Sequence, residues 1–247
     1  MQPAEHRLQS LSGDSAVFIS DLHLSEHTPQ LMARFEAFCH GLGTQWLVVM
    51  GDLFEGYCGD DDRSSCIASV ERAFLQLHQR GVRVALMQGN RDFLIGTAFA
   101  QRTGAVLVDD PCVWNGEWLL SHGDRWCLLD TEYQAFRAVS RSAAWQNHFL
   151  SQPLAARQAQ VQAYRSQSKA AQMDVSSDKT DVMDVAALAS AAQLVCTAVL
   201  HGHTHRPSDR LLTDGLRKVV LGDWDETQAK PAQCARYSAG HLSTFLF

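Results

Sequence analysis

The sequence predicts an α/β fold in which a mostly parallel sheet carries a functional site along one edge. Three observations support this prediction. Short runs rich in β-branched and large apolar residues recur along the chain, as expected of buried strands. Segments with helical spacing separate the first three runs, and strand–helix alternation is typical of parallel sheets. Motifs of Asp, Asn and His follow the runs directly, and ligands of such sheets gather at the carboxyl ends of the strands.

Each element follows from a local pattern. Five apolar runs are predicted strands: Ala16–Ser20, Trp46–Met50, Val82–Met87, Glu117–Ser121 and Val195–Leu200. A first helix is predicted from the spacing of Leu31, Phe35 and Phe38. A second helix follows a candidate cap at Ser64 or Ser65 and presents one apolar face, formed by Ile67, Val70, Phe74 and Leu77.

The C-terminal part predicts strands beyond the parallel core. Arg210–Leu212 and Leu216–Leu221 flank a Thr213-Asp214-Gly215 turn, which predicts a hairpin. Ser243–Phe247 is predicted to be a final strand. The sheet is therefore expected to be mixed, and a two-sheet sandwich is the favoured arrangement.

The stretch from about Asp130 to Ala192 is rich in Ala, Gln and Ser and predicts a helical insertion. Between Tyr133 and Gln172 it contains five basic residues and no acidic one, which indicates an anionic partner. Its apolar side chains are suited to binding a hydrophobic ligand, to contact with a lipid headgroup region, or to packing against the main body. No linker divides the chain, so residues 1–247 are predicted to form one domain.

Composition excludes some functions. A net charge of −6 argues against general nucleic-acid binding, which depends on basic surface. The seven cysteines include no Cys-x-x-Cys pair, which favours a reducing compartment. No secretory signal begins the chain, and no apolar run reaches the length of a membrane span, so we expect a cytoplasmic protein with at most peripheral membrane contact.

Five motifs supply seven candidate metal ligands. In order along the chain, these are Asp21, His23, Asp52, Asn90, His122, His203 and His205. Each motif alone has an ordinary structural explanation, such as a cap or a packed histidine, but five together predict a two-metal hydrolase. Two divalent ions about 3.5–4 Å apart can hold a phosphorus centre from both sides. A mixed set of Asp and His suits Mn, Fe or Zn better than Ca or Mg.

Individual roles follow from side-chain chemistry. Asp52 is the candidate bridge, because one carboxylate can contact two ions. Arg91 is predicted to hold phosphate oxygens, with an ion pair to Asp92 as the alternative. Asp124 and His201 are candidates for orienting the ligand imidazoles. Protonation of the leaving group is expected from His201 or from solvent.

These motifs, Asp-x-His, Gly-Asp, Gly-Asn-Arg-Asp, His-Gly-Asp and Gly-His-Thr-His, resemble those of the calcineurin-like metallophosphoesterases. The resemblance implies a four-layer α/β/β/α sandwich with both ions at the strand ends. One ion would have the ligands Asp21, His23, Asp52 and His205. The other would have Asp52, Asn90, His122 and His203.

Longer strings resemble one family within this group, the UDP-2,3-diacylglucosamine diphosphatases of lipid A and lipopolysaccharide synthesis. The strings are Gly51–Glu55 with Gly59–Asp62, Gly89–Leu94, Tyr133–Arg137, Met183–Val185 and His201–Pro207. The resemblance implies a monomer that uses two Mn²⁺ ions on the cytoplasmic face of the inner membrane, where the helical insertion helps hold the acyl chains. A hydroxide bridging the ions would attack the phosphorus of the UMP portion, releasing UMP and 2,3-diacylglucosamine 1-phosphate (lipid X).

The same resemblance implies substrate contacts. These fall on Asn90, Arg91, Asp130, Ser168, Gln172, Lys179 and His203. The sequence departs from the family pattern after Ser168, where Gln172 and Lys179 stand with extra residues between them. Two other functions stay open: a dinuclear phosphodiesterase or phosphatase acting on a soluble nucleotide or phosphoprotein, and a catalytically inactive scaffold that binds proteins.

Overall fold

The computed structural model describes residues 9–172, 179–213, 215–226 and 231–247, and side chains up to residue 166 in the first range. The described strands form two six-stranded sheets. Sheet I has the order β12 (His241–Leu246), β11 (Gln233–Ser238), β2 (Ser15–Ile19), β3 (Trp46–Met50), β4 (Arg83–Met87), β5 (Val106–Val108). Sheet II has the order β1 (Ser10–Leu11), β6 (Cys112–Trp114), β7 (Trp118–Ser121), β8 (Ala198–His201), β10 (Arg217–Val220), β9 (Ser208–Leu211).

Sheet I confirms the predicted alternation. Strands β2 to β5 run parallel, with β3 central in this group. The connections carry helices α1 (Pro29–Gly41), α2 (Ser65–Gln79) and α3 (Thr97–Thr103). Helix α2 begins after Ser64 and buries the predicted apolar face. Consecutive parallel strands with helical crossovers bring the ends of β2, β3 and β4 to one edge.

Sheet II contains the predicted hairpin, because β9 and β10 pair antiparallel with Leu211 opposite Arg217. Strand β10 also pairs parallel with β8, and β8 pairs parallel with β7. Asp214 of the predicted turn lies outside the described residues. The final strand starts at His241 and pairs with β11, a strand that the sequence analysis did not identify.

Three apolar layers hold the two sheets and their helices together. Phe18, Trp114 and Leu200 belong to the core between the inner faces of the sheets. A second core joins sheet I to α1, α2 and α3, and a third joins sheet II to α7 (Asp184–Gln193). The arrangement is therefore the four-layer α/β/β/α sandwich that the resemblance implies.

The stretch predicted as an insertion contains α7, which packs on sheet II, and three further helices: α4 (Thr131–Ser140), α5 (Ala143–Leu150) and α6 (Leu154–Gln172). They contact the main body through ion pairs and hydrogen bonds as well as apolar packing. Trp145 packs against Phe93, and Arg157 of α6, which is 2% exposed, pairs with Asp61. Among the described residues, no helix combines the length and the apolar character that a bilayer span requires.

Asp60 fixes the start of α3. Its carboxylate accepts hydrogen bonds from the backbone N–H groups of Gly96 (2.9 Å), Ala98 (2.9 Å) and Phe99 (3.1 Å), and from the Tyr57 hydroxyl. We expect Asp60→Ala to lower the free energy of unfolding by about 1–2 kcal/mol, because helix N-terminal donors lose their acceptor. Urea denaturation measures this change.

Two variants control this experiment. Asp60→Asn keeps one acceptor oxygen and should lose less stability than Asp60→Ala. Asp109→Ala changes an exposed aspartate and should stay within about 0.5 kcal/mol of the original chain. Equal stability of Asp60→Ala and Asp109→Ala would contradict the capping role.

Candidate metal centre

The predicted ligands sit on a backbone of unusual conformation. Five of them have positive φ angles: Asp21 (57°), His23 (53°), Asp52 (53°), His203 (69°) and His205 (54°). Left-handed backbone is unfavourable for residues with a Cβ and is found most often at functional sites. The seven predicted ligands follow five different strands, β2, β3, β4, β7 and β8, and their side chains converge.

One group of ligands surrounds Asp21, which follows β2. The Nε2 atom of His205 lies 3.4 Å from Asp21 Oδ1 and 3.1 Å from Nε2 of His23. The other oxygen of Asp21 is held by the Ser20 hydroxyl (2.6 Å) and the His203 backbone N–H (2.8 Å). Asp21 Oδ1 is buried and has no hydrogen-bond donor among the described residues. This oxygen and the two imidazoles form one candidate cation site.

A second group surrounds Asn90, which follows β4. Its Oδ1 atom lies 2.8 Å from His122 Nε2 and 2.8 Å from His203 Nδ1. Asp52 lies between the two groups, since Oδ1 is 3.6 Å from His122 Nε2 and Oδ2 is 3.9 Å from His23 Nδ1. The structure therefore brings all seven predicted ligands together.

The position of the proton on the neutral His122 ring leaves one nitrogen lone pair available for a cation. Its Nδ1 atom is 3.0 Å from the Met50 carbonyl, which can only accept, so Nδ1 carries the proton in the neutral ring. The lone pair of Nε2 then faces the oxygens of Asn90 and Asp52. These acceptor atoms face one another and repel. A divalent ion between them would replace the repulsion with attraction. The donor set of carboxylate, imidazole and amide oxygen fits transition ions.

The pKa values of Asp52 and His122 are also consistent with a cation-binding site. Burial, together with the nearby Asp92 and Asp21, raises the pKa of Asp52 to about 7, although His122 and Arg91 oppose the shift. Burial disfavours the charged form of His122, but Asp52 and Asp21 outweigh it and raise the pKa of His122 to about 9. A divalent cation would favour the ionised carboxylate and the neutral imidazole, which are the ligating forms.

Comparison with known proteins identifies the family to which this chain belongs. A UDP-2,3-diacylglucosamine hydrolase from Xanthomonas campestris pv. campestris is 41% identical over 227 residues, which cover 86% of this chain and 92% of the relative. One from Aeromonas hydrophila is 42% identical over 220 residues, covering 86% of this chain and 91% of that relative. The chain belongs to the UDP-2,3-diacylglucosamine hydrolase family.

Two other comparisons complete this finding. No protein-family model matches the chain. A solved structure of an archaeal phosphodiesterase is similar over 94% of this chain and 99% of its own, with 10% sequence identity and a TM-score of 0.47.

In this member of the hydrolase family, Arg91 lies beside the candidate cation sites. Its Nε atom is 3.4 Å from Asp52 Oδ2, and it also pairs with Glu55, which in turn pairs with Arg165 of α6. The alternative pairing of Arg91 with Asp92 is wrong. Asp92 is fully buried, and its carboxylate accepts hydrogen bonds from backbone N–H groups instead. The Arg91 side chain therefore pairs with Asp52 and Glu55 at the site.

Asp92 joins two of the ligand loops. Its carboxylate accepts hydrogen bonds from the backbone N–H groups of Leu53 (2.7 Å) and Gly89 (2.7 Å). These bonds tie the loop that carries Asp52 to the loop that carries Asn90. No local pattern predicts this role of Asp92, apart from its place in the Gly-Asn-Arg-Asp motif.

Asp124 connects the site to α4. Its buried carboxylate accepts a hydrogen bond from Arg137 Nε (2.8 Å) and another from the Tyr133 hydroxyl. Burial alone would raise the pKa of Asp124, but His122, His203 and Arg137 hold it well below its usual range. The Tyr133 ring stacks on His203 with a centroid distance of 6.2 Å and an interplanar angle of 28°. Asp124 thus orients the insertion and, through Tyr133, the imidazole of His203.

His201 is fully buried beneath the ligand loop. Its Nδ1 atom donates to the Gly202 carbonyl (2.9 Å), and its ring packs edge-on against Trp126. Burial, with Lys218 nearby, lowers the pKa of His201 to about 3. A neutral, buried imidazole whose Nδ1–H is already engaged is a poor proton donor.

Only some of the residues expected to contact the substrate lie at the site. Asn90, Arg91 and His203 lie at the site. Asp130 is half-buried and caps α4 by accepting from the Tyr133 N–H (3.0 Å), while Lys179 is exposed. The side chains of Ser168 and Gln172 lie outside the described residues.

Proposed function

We propose that this chain hydrolyses the pyrophosphate bond of UDP-2,3-diacylglucosamine, releasing UMP and 2,3-diacylglucosamine 1-phosphate. One observation supports the proposal: the seven candidate ligands meet at one edge of a chain that belongs to the hydrolase family. Water attacks the phosphorus of the UMP portion, and the bond from that phosphorus to the bridging oxygen breaks. The bridging oxygen leaves with the lipid phosphate and takes up a proton from solvent.

We propose Mn²⁺ as the cofactor, with two ions per chain. One ion would be held by Asp21, His23, Asp52 and His205, and the other by Asp52, Asn90, His122 and His203. When bound, the ions supply positive charge for an anionic diphosphate and make coordinated water more acidic. Arg91 binds phosphoryl oxygens as negative charge develops on them.

We propose that α4, α5 and α6 form the lipid-binding insertion. Several apolar side chains in and just before these helices are exposed: Leu128, Leu129, Phe136, Val139, Leu150 and Tyr164. Phe136 also contacts Tyr164 and Trp145, so aromatic rings link all three helices. Such a surface suits acyl chains and peripheral contact with the cytoplasmic face of the inner membrane.

One assay series tests the proposal. The purified chain is supplied with UDP-2,3-diacylglucosamine, an aryl phosphate or a cyclic nucleotide, with and without Mn²⁺. We expect UMP release from the lipid substrate that depends on Mn²⁺ and is far faster than turnover of the other two. Preferred turnover of a soluble ester would support a phosphodiesterase or phosphatase instead. No turnover of any substrate would support a scaffold.

A further inference from the structure

Glu55 lies beside the candidate metal centre but is not one of the predicted ligands. It follows the Asp52 loop, and its side chain is 39% exposed. One carboxylate oxygen pairs with Nη1 of Arg91, and the other pairs with Nη2 of Arg165. A single carboxylate thus joins an arginine of the Gly-Asn-Arg-Asp loop to an arginine of α6.

The two guanidinium groups repel each other, and the Glu55 carboxylate that pairs with both of them reduces this repulsion. Burial and the positive charge of Arg91 lower the pKa of Arg165, whereas Glu55 opposes this shift. The Nε atom of Arg165 is buried and has no acceptor among the described residues. Because guanidinium groups bind phosphate oxygens in pairs of contacts, this donor is suited to an anionic ligand.

Glu55 also approaches a candidate metal ligand. Its Oε2 atom lies 3.6 Å from Nδ1 of His23. That nitrogen is buried and has no hydrogen-bond partner among the described residues, while Nε2 of the same ring lies within 4.0 Å of both Asp21 and His205. At 3.6 Å, the negative charge of Glu55 favours the tautomer with its proton on Nδ1, which leaves the Nε2 lone pair for a cation.

We propose that Glu55 is a positioning residue that holds Arg91 and Arg165 together as one phosphate clamp and keeps His23 Nε2 directed at the cation. The inference rests on the proposed function and extends it, because it assigns diphosphate binding to a pair of arginines from two parts of the chain. The contact of α6 with the site through Arg165 and the orientation of His23 then depend on the same carboxylate.

The test compares Glu55→Gln with Glu71→Gln. Glu71 is a matched control, since it also pairs with two arginines, Arg63 (3.4 Å) and Arg102 (2.8 Å), but lies on α2. In Glu55→Gln, the amide loses the charge that holds the arginines. We expect KM for UDP-2,3-diacylglucosamine to rise about tenfold or more, with a smaller change in kcat, and Mn²⁺ affinity by calorimetry to fall about 10–100-fold. Glu71→Gln should change neither.

A double-mutant cycle separates this role from simple structural support. If Glu55 acts through Arg165, then Glu55→Gln should have little further effect on KM in an Arg165→Met background. Additive effects, or a Glu55→Gln variant with KM and Mn²⁺ affinity within twofold of the original chain, would overturn the inference. If the original chain releases no UMP, the proposed function fails, while the Mn²⁺ titration still tests the contact between Glu55 and His23.

Discussion

Replacing Asp52 by alanine should abolish UMP release, with a loss of about a thousandfold or more. Asp52 has one oxygen facing His122 and the other facing His23, and the Arg91 backbone N–H holds Oδ1 at 2.8 Å. Without this carboxylate, neither ion would keep its full ligand set, and several kcal/mol of charge stabilisation would be lost. Calorimetric titration should find weaker Mn²⁺ binding with fewer than two ions per chain.

The control is Asp209→Ala, which breaks an exposed ion pair with Arg217 on sheet II. It should retain normal turnover and two bound ions. Circular dichroism should show both variants folded. Normal turnover by a folded Asp52→Ala chain would refute the assignment of Asp52.

Replacing Gly89 by alanine should reduce activity about a hundredfold although it replaces none of the predicted ligands. A Cβ atom on Gly89 would lie 2.2 Å from Oδ1 of Asp52 and 2.3 Å from its backbone nitrogen. Because these distances are far inside van der Waals contact, the Asp52 loop must move, and displacements near 1 Å have effects of about this size. Overpacking should also cost about 1–3 kcal/mol of stability.

Gly43→Ala is the matched control, because its added Cβ would have no atom within 4 Å. Activity assays and thermal unfolding should place it close to the original chain. Equal behaviour of the two alanine variants would show that the Asp52 loop tolerates displacement.

The parts of the fold that the sequence predicted are those with strong local patterns. β3 is fully buried, and the helical faces of α1 and α2 repeat through several turns. The strands that escaped prediction have weaker patterns. β5 and β6 contain three residues each, and β11 interrupts its apolar residues with Arg236. Their pairing with distant strands stabilises them, and single-sequence patterns do not contain that information.

The candidate ligands were predictable because each follows a strand within a compact motif. The residues that orient them were not, because their partners are far away in sequence. Asp92 contacts the loop of Leu53, and Glu55 contacts Arg165 at a separation of 110 residues. An isolated Asp or Glu has no local pattern that reveals such a partner.

The basic residues of the insertion also have partners within the chain. Arg137, Arg141, Arg157 and Arg165 contact Asp124, the Gly89 carbonyl, Asp61 and Glu55 respectively. These four positive charges therefore anchor the insertion to acidic and carbonyl oxygens of the main body. A cluster of basic residues in a sequence does not show whether its partner is an external anion or an acidic residue of the same chain.

The left-handed backbone at five ligand positions has a consequence for metal choice. Each such residue costs on the order of 1 kcal/mol, and packing and hydrogen bonds in the folded chain offset that cost before any ion arrives. The main chain of the cradle then has little freedom to adapt to ions of different radius. We therefore expect the fixed spacing of the ligands, rather than rearrangement of the main chain, to govern which divalent ions bind.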